Sequence, residues 1–337
     1  TPLYSSAASD VYKRQSGDWD QDKLALLIAD LDASDFDAEL TGFDDDEIAQ
    51  LIGSLDEDEV EDDDFDLTAA LEAAAFVERG DIWTVGRHRL VCGDATNAGD
   101  IELLMDGKKA NLVLTDPPYN VAFESSDGLS IKNDKMSADA FYEFLLAAFT
   151  QMAGVCEKGA SAYVFHADTE GLNFRRAFQD AGFKLSGCCI WVKDSLVLGR
   201  SPYQWQHEPV LYGWVKTGKH TWYADRKQTT VWRFDKPRRN ADHPTSKPLD
   251  LLAYPIGNST QANAIVLDTF AGSGSTLMAC EATNRIAYCM ELDEKYASVI
   301  LRRYADATGD AAGITCLRDG QQLAYLDVVK AVDRGKK

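Results

Sequence analysis

The feature that most constrains the fold of this 337-residue chain is a regular alternation of short apolar segments and longer amphipathic segments. Short apolar runs bounded by turn residues are typical of buried strands, whereas apolar residues at helical spacing indicate helices. The predicted strands cover residues 112–115, 161–166, 188–192, 265–268 and 287–291, and the predicted helices cover 139–153, 172–181, 248–255, 276–283 and 294–307. This order predicts an α/β fold, a doubly wound parallel sheet with helices on both faces.

The alternating region belongs to a domain that we predict to span residues 80–310. It begins with a hairpin over residues 82–92, in which two apolar runs flank a Gly86-Arg87 turn. Residues 194–246 interrupt the alternation, because they are rich in Trp, Tyr, Arg and Lys and show little periodicity. Residues 311–337 are interpreted as a C-terminal extension.

The formal net charge of −21 is concentrated near the N-terminus, since residues 16–80 hold 23 acidic and 2 basic side chains. Apolar residues at helical spacing, such as Leu24, Leu27, Ile28 and Ile48, predict small helices joined by a solvated acidic linker over residues 16–79. A DNA-mimicking role of the acidic run is the alternative. Residues 1–15 have neither helical nor strand periodicity, and we expect them to be a leader that is not native to the protein.

The remaining composition favours an intracellular protein. No stretch of the chain approaches the roughly 20 apolar residues that span a bilayer. Seven cysteines without any CxxC pair indicate reduced thiols, with neither a disulfide framework nor a metal site. We therefore expect a cytoplasmic protein without membrane contact and without a bound metal.

The strongest motif is Asp116-Pro117-Pro118-Tyr119, which directly follows a predicted strand. Proline has no N–H group, so this turn offers acceptors, namely the Asp116 carboxylate and the Pro117 carbonyl. An exocyclic amino group of a base has two N–H donors and is the complementary partner. Holding both hydrogens favours a pyramidal nitrogen whose lone pair can attack a methyl group, and Tyr119 would stack on the extruded base. A plain strand-ending turn with an aromatic plug is the alternative.

The second motif is a strand that runs through Asp268 into a turn with Gly272 and Gly274 and then into a helix. These glycines permit a tight bend and let a bulky cofactor approach the backbone. The next strand ends in Glu291, at the spacing from which an acidic side chain reaches ribose hydroxyls. Because the pattern is neither GxGxxG nor GxxxxGK[ST], it favours a single nucleoside cofactor over a dinucleotide or a nucleoside triphosphate.

Together these motifs resemble the catalytic and cofactor motifs of S-adenosylmethionine-dependent DNA methyltransferases that act on exocyclic amino groups. With the catalytic motif first, their order is similar to that of the circularly permuted β-class. Cys92-Gly93-Asp94 resembles the acidic motif beside the cofactor adenine, and Thr245-Ser246-Lys247-Pro248 resembles the motif that contacts the cofactor's methionine carboxylate. Residues 189–193 resemble a strand that walls the pocket for the target base.

The resemblance implies a Rossmann-like methyltransferase sheet, circularly permuted, with an inserted target-recognition region at residues 194–242. It implies direct methyl transfer to a flipped base, with no metal and no covalent intermediate. The implied catalytic residues are Asp116, Pro117, Pro118 and Tyr119, and the implied S-adenosylmethionine-binding residues are Asp94, Lys247, Asp268, Phe270, Gly272, Gly274 and Glu291.

The resemblance also implies double-stranded DNA as the partner, and a homodimer is compatible with it. The candidate DNA-binding residues are Arg200, Arg226, Lys227, Arg233, Arg238 and Arg239. Interleaved Trp and Tyr residues suit base stacking, although each Trp alone is better interpreted as core of a small β-rich insert. The His207-Glu208 pair has no accompanying ligand pattern and is interpreted as structural. Around Trp19 and Phe43 the chain resembles the tail of a ParB-like domain of phage-type methylases, most of which would be missing.

Adenine N6 is the predicted target, because Asp at position 116 favours adenine in the resembling family, and cytosine N4 stays open. A catalytically weak DNA-binding module is the alternative from another class, but it would not need Asp116, Tyr119 and the glycine turn together. Methylation of protein glutamine or RNA is disfavoured, because those relatives usually have Asn in place of Asp116. A C5-cytosine mechanism needs a nucleophilic cysteine after proline, and none of the seven cysteines follows one.

Overall fold

The computed structural model describes residues 60–121, 134–198, 202–235 and 246–335, and in addition Leu24, Ala25, Leu27, Ile28, Phe43, Glu47 and Ile48. The chain divides into two compact units, the first comprising Thr1–Glu59 with Gln261–Asn263 and the second comprising Val60–Thr260 with Ala264–Lys337. In the first unit Leu24, Leu27, Ile28 and Ile48 are helical, as their spacing predicts. The predicted leader at residues 1–15 lies outside the described residues.

The second unit is built on a mixed sheet, to which its described residues contribute eleven strands. In chain order they are β1 (Ile82–Val85), β2 (His88–Cys92), β3 (Ala110–Thr115), β4 (Cys156–Phe165), β5 (Phe183–Val197), β6 (Trp205–Val215), β7 (Val231–Arg233), β8 (Ile265–Asp268), β9 (Ile286–Glu291), β10 (Ile314–Arg318) and β11 (Gln321–Ala324). Their order across the sheet is β11-β10-β1-β2-β9-β8-β3-β4-β6-β5-β7. The neighbours β2, β9, β8, β3 and β4 are parallel, and β6 is antiparallel to both β4 and β5.

Helices cover both faces of this sheet. Those of the described part are α1 (Leu67–Glu72), α2 (Ala98–Met105), α3 (Ala138–Gly154), α4 (Gly171–Asp180), α5 (Leu249–Ser259), α6 (Ser275–Ala282), α7 (Glu294–Thr308) and α8 (Tyr325–Gly335). One hydrophobic cluster joins the sheet to α5, α6, α7 and α8, and a second cluster joins it to α2, α3 and α4. The helix α1 packs on α7, where Leu67 and Leu71 contact Val299. The predicted α/β architecture is confirmed.

The burial of the central strands explains why they are easily recognised in the sequence as continuous apolar runs. In β3 the side chains of Leu112, Val113 and Leu114 are all fully buried. Leu112 and Leu114 belong to one hydrophobic cluster and Val113 to the other, because successive side chains of a strand point to opposite faces. A strand that is buried on both faces needs a continuous apolar run, and such a run is what the sequence shows.

The sheet corrects the interpretation of residues 194–242 as one inserted region. The strand β6 falls within these residues, yet it lies inside the sheet between β4 and β5. Its apolar pattern is hidden because Trp205 and Gln206 at its start are exposed, while residues 208–211 are buried. Between the end of β5 and the start of β7, the described residues that lie outside the sheet are 198, 202–204 and 216–230.

Two segments that the sequence analysis separates from the catalytic domain, residues 60–79 and 311–337, also belong to the second unit. The predicted extension at residues 311–337 forms β10, β11 and α8, and it buries Ile314 and Cys316 completely. Residues 60–79, which the charge pattern groups with the acidic region, lie in the same compact unit as the sheet. Phe76 in this segment packs edge-to-face on Trp83 of β1 and on Tyr325 of α8.

All seven cysteines are free, and every one except Cys188 is buried. Burial raises the pKa of thiols such as Cys156 and Cys189 to about 12, which makes them poor nucleophiles. Among the helices that the structure describes, none combines the length and apolar character needed to cross a membrane.

Candidate functional site

A single cavity brings the two sequence motifs together at the carboxyl ends of β2, β3, β8 and β9. Ligands of open α/β sheets bind at this edge of the strands. The sequence-predicted residues that line it are Asp94, Asp116, Pro117, Pro118, Tyr119, Lys247, Asp268, Phe270, Gly272 and Glu291. Of the predicted cofactor and catalytic residues, Gly274 is the one that does not line the cavity.

The two motif turns are fixed to each other by a buried hydrogen bond. The Thr115 hydroxyl, at the end of β3, donates to Oδ1 of Asp268, at the end of β8, over 2.7 Å. The Phe270 N–H also donates to this oxygen over 3.1 Å. Burial raises the pKa of Asp268 to about 6, although these hydrogen bonds act in the opposite direction. Asp268, which lines the cavity, therefore holds the two turns together.

The catalytic turn ends in a compact cluster of charged groups. The Lys247 Nζ lies 2.5 Å from Oδ2 of Asp116 and 3.1 Å from Oε1 of Glu208. The Lys193 Nζ lies 2.8 Å from Oε2 of Glu208. The Tyr119 hydroxyl lies 2.5 Å from both Oδ1 of Asp116 and Oε1 of Glu208. Because this hydroxyl has one hydrogen, it can donate to one of the two carboxyl groups at a time.

The cluster gives its two carboxyl groups, Asp116 and Glu208, different pKa values. Burial raises the pKa of Asp116, Lys247 acts to lower it, and the charge on Glu208 raises it further. For Glu208, burial also acts to raise the pKa, but Lys247 and Lys193 outweigh burial and lower it to about 2. Burial and the two carboxylates raise the pKa of Tyr119 well above its usual value, so its hydroxyl remains a donor. Asp116 is therefore the more basic carboxylate of the pair.

Glu208 is a member of the charged cluster that sequence reasoning did not place there. The pair His207-Glu208 is interpreted from sequence as structural, whereas the side chain of Glu208 reaches three members of the charged cluster. Glu208 stands on β6 opposite Trp191 of β5, two residues before Lys193. The available signal was a charged residue immediately before the apolar run of a strand, matched by a lysine in the preceding strand.

The cofactor side of the cavity is built around Glu291 at the end of β9. Its Oε2 accepts from the Gly272 N–H over 2.8 Å, and its Oε1 accepts from the Asp293 N–H over 2.8 Å. Burial raises the pKa of Glu291 to about 7, although these backbone donors act to lower it. Two residues after the end of β2, the Asp94 carboxylate accepts from the backbone N–H and the hydroxyl of Thr96 at 2.9 and 2.7 Å.

These residues fit a nucleoside cofactor with hydroxyl and amino donors. Glu291 and Asp94 line the cavity as acceptors, and the buried Thr269 hydroxyl, also in the lining, has no hydrogen-bond partner among the residues that the structure describes. Gly272 and Gly274 both have positive φ, at 52° and 86°. A Cβ at Gly274 would come within 3.1 Å of Ile300 on α7, so a larger residue there would crowd this helix.

Three of the six predicted DNA-contacting residues are described by the structure. Arg226 and Lys227 are exposed in the connection between β6 and β7, and Arg233 is exposed on β7. Arg200, Arg238 and Arg239 lie outside the described residues.

The aromatic residues of this region divide between core and surface. Trp232 is 4% exposed and is a core residue, as predicted for single tryptophans of this region. Trp191, in the strand that the resemblance assigns to the wall of the base pocket, is 3% exposed and is also a core residue. Trp191 donates its Nε1 hydrogen to the Phe234 carbonyl over 2.9 Å and does not line the cavity. Trp205 and Tyr223 are 42% and 49% exposed and belong to the surface.

Comparison with known proteins gives the family of this site. The N6/N4 DNA methylase family model matches residues 110–302, which is more than half of the chain. The model of the ParB-methyltransferase HTH domain matches residues 22–79, which confirms the resemblance of the acidic region. The β-class assignment, the phage type and the circular permutation stay predictions.

Individual relatives agree with this match. YubD of Escherichia coli (strain K12), which carries the name of a methylase, is 30% identical over 208 residues, or 62% of this chain and 86% of the relative. The DNA adenine methyltransferase YhdJ of the same organism is 28% identical over 229 residues, or 58% of this chain and 76% of the relative. Among solved structures, the cytosine-N4-specific PvuII DNA methyltransferase has a TM-score of 0.52 at 15% identity, covering 73% of this chain and 94% of its own. The chain therefore belongs to the N6/N4 DNA methylase family, whose methyl donor is S-adenosylmethionine.

Proposed function

We propose that this chain methylates the exocyclic N6 amino group of adenine in double-stranded DNA. The observation that carries the proposal is the acceptor-only turn of Asp116 and Pro117 at the mouth of a cavity shared with the glycine turn. A target that donates two N–H groups fits this turn, and a nucleoside cofactor fits beside it. Both ligands would meet above the carboxyl ends of neighbouring strands.

The residues of the cofactor half have distinct roles in this proposal. Bound S-adenosylmethionine supplies an electrophilic methyl group on a positively charged sulfur. Glu291 accepts from the ribose hydroxyls, Asp94 faces the adenine end, and the Thr269 hydroxyl gains a partner that the described part of the chain does not provide. Lys247 has three N–H donors, of which two are used on Asp116 and Glu208, so its third donor remains for the cofactor carboxylate.

Asp116 both orients the target and receives its proton. With Pro117 it accepts the two amino hydrogens, so the lone pair of the nitrogen turns toward the methyl group. When the nitrogen–carbon bond forms and the sulfur–carbon bond breaks, the nitrogen must release one proton. Asp116 accepts it because burial raises its pKa above that of Glu208, which Lys247 and Lys193 keep ionised. Solvent removes the proton afterwards.

The Tyr119 side chain combines two tasks. Its hydroxyl is held by Asp116 and Glu208, which fixes the ring at the wall of the cavity. The ring then offers a face on which an extruded base can stack. Since the hydroxyl is anchored, the ring needs no reorganisation when the base enters, and such preorganised positioning lowers the barrier.

Adenine is favoured over cytosine by two observations. The first is Asp at position 116, and the second is the relative YhdJ, which is named as a DNA adenine methyltransferase. The likeness to the cytosine-N4-specific enzyme is at 15% identity and concerns the fold alone.

The proposal is tested by incubating the full chain with unmethylated plasmid and S-adenosylmethionine, followed by nucleoside mass spectrometry. We expect N6-methyladenine, which should be absent with Asp116→Ala although that variant still binds the cofactor. N4-methylcytosine would overturn the adenine assignment and retain the mechanism. More than a tenth of the wild-type turnover in Asp116→Ala would overturn the role of Asp116.

A further inference from the structure

A short acidic segment, residues 60–65, reaches the cofactor turn from outside the cavity. The Asp63 carboxylate accepts from Arg303 Nε over 2.6 Å and from Arg303 Nη2 over 3.1 Å. Arg303 Nη1 donates to the Ser273 carbonyl and to the Ser275 hydroxyl, each over 3.1 Å. Ser275 lines the cavity. Asp63 is thus linked to the cavity wall through a single intervening side chain.

The neighbouring Asp62 reaches the other half of the site. Its Oδ1 accepts from the Leu249 N–H over 2.7 Å, at the first residue of α5. The residue before Leu249 is Pro248, whose side chain cannot cap the helix. A carboxylate at a helix N-terminus is favourable because it satisfies a free N–H and opposes the helix dipole. This helix begins two residues after Lys247, so Asp62 fixes the segment that carries the cluster's bridging cation.

Burial makes the Asp63 contact demanding. The side chain of Arg303 is 5% exposed and that of Asp63 is 17% exposed. Ser273 is 1% exposed, so the carbonyl that Arg303 holds lies inside the protein. A buried guanidinium that loses its carboxylate keeps its charge and must find another partner or pull in water. Either response displaces the groups that Arg303 holds, which are the backbone and hydroxyl of the cofactor turn.

We propose that Asp62 and Asp63 are positioning residues for the cofactor, acting through Leu249 and Arg303, respectively. Both lie in the part of the chain that matches the ParB-methyltransferase HTH domain, outside the methylase match. Cofactor affinity is therefore controlled in part by a segment of the fused domain. By thermodynamic linkage, whatever moves this segment changes cofactor binding, and cofactor binding stabilises the segment in return. The inference rests on the proposed cofactor role of the turn.

The test is calorimetric titration of the full-length chain with S-adenosylmethionine, comparing wild type with Asp63→Asn. We expect the Kd for the cofactor to rise about two- to thirtyfold, the range typical of residues that act through another residue. The KM for DNA should stay within about twofold of wild type, because the segment touches none of the proposed DNA contacts that the structure describes. Glu72→Gln, an exposed carboxylate on α1, is the matched control and should leave both constants unchanged.

A second variant covers the case in which Asp63→Asn does not fold. Asp63→Glu keeps the charge but changes its reach, so it should fold and give an intermediate Kd for the cofactor. A wild-type Kd in a folded Asp63→Asn or Asp63→Glu would overturn the proposal, as would equal losses of cofactor and DNA affinity. If wild type itself does not bind S-adenosylmethionine, the proposed cofactor site fails instead.

Discussion

Lys247 and Asp116 form a close ion pair, with Nζ 2.5 Å from Oδ2, although 131 positions separate them in the chain. From the motifs alone, Asp116 is assigned to the target base and Lys247 to the cofactor. Their contact means that one cation touches the proposed acceptor of the base and also lines the cavity proposed for the cofactor. We therefore expect the binding of the base and the binding of the cofactor to be coupled through Lys247.

Glu208→Gln should lower the turnover number and move the acidic limb of the pH–rate profile to lower pH. The charge on Glu208 raises the pKa of Asp116, so its removal lowers that pKa and keeps Asp116 ionised further into acid. Loss of the charged partner of Lys193 should also destabilise the fold by roughly 1–3 kcal/mol. Stopped assays between pH 5 and 9 measure the profile.

The matched control for this variant is Glu157→Gln, which removes an exposed carboxylate at the start of β4. It should leave the rate and the profile unchanged. An acidic limb that moves to higher pH in Glu208→Gln would contradict the assigned charge coupling.

Cofactor affinity should rise with pH across neutrality and should lose this dependence in Glu291→Gln. Burial raises the pKa of Glu291 to about 7, so the carboxyl group is neutral below that pH and ionised above it. Ribose hydroxyls donate to the ionised form, and binding then releases a proton. The affinity should gain at most about tenfold per pH unit below the pKa.

Titration calorimetry at pH 6, 7 and 8 in buffers of different ionisation enthalpy measures both the affinity and the proton release. Asp268, whose burial raises its pKa to about 6, titrates nearby, so the difference between wild type and Glu291→Gln isolates Glu291. A pH dependence that persists unchanged in the variant would show that another group is responsible.

Two truncations should differ in stability although they differ by only six residues. A chain that begins at Val60 keeps the contacts of Asp62 and Asp63, whereas a chain that begins at Asp66 leaves Arg303 buried without its carboxylate. Removal of one partner of a buried ion pair costs about 3–5 kcal/mol. Thermal unfolding of the two chains gives the comparison, and equal melting temperatures would contradict it.

Arg226→Ala with Lys227→Ala should weaken DNA binding and reduce its salt dependence. If each side chain contacts a phosphate, the slope of log affinity against log salt falls by about 0.9 for each lost contact. Lys330→Ala, an exposed lysine on α8 beyond the opposite edge of the sheet, is the control. Fluorescence anisotropy over a salt series measures both slopes, and unchanged binding in the double variant would remove this connection from the DNA surface.

The sequence predicts the local parts of this protein well. The turns after β3 and β8 are visible because strand, turn residues and motif are consecutive in the chain. The same holds for the helices α3 to α7, since their apolar spacing is regular, whereas the short helix α2 has no counterpart among the predicted helices. Periodicity reports which faces are buried, so the central strands were found within a few residues of their true bounds.

The charged cluster could not be predicted in the same way. It depends on β6 entering the sheet between β4 and β5, and nothing in the periodicity of a strand names its neighbours. The strand also mixes polar and apolar residues, so it resembles an insert. The ion pair of Asp63 could not be predicted for a related reason. In the sequence, a buried carboxylate within an acidic run cannot be distinguished from a solvated one, and only the structure places Arg303 beside it.

The hydrogen bond from Thr115 to Asp268 separates what can vary in this architecture from what cannot. It joins the last residues of two adjacent strands, so the distance between the Asp116 turn and the glycine turn is set by strand spacing, about 4.8 Å. Loops that read DNA contribute nothing to that distance. A lineage can therefore exchange its reading loops and acquire a new target sequence while the reacting groups keep their alignment.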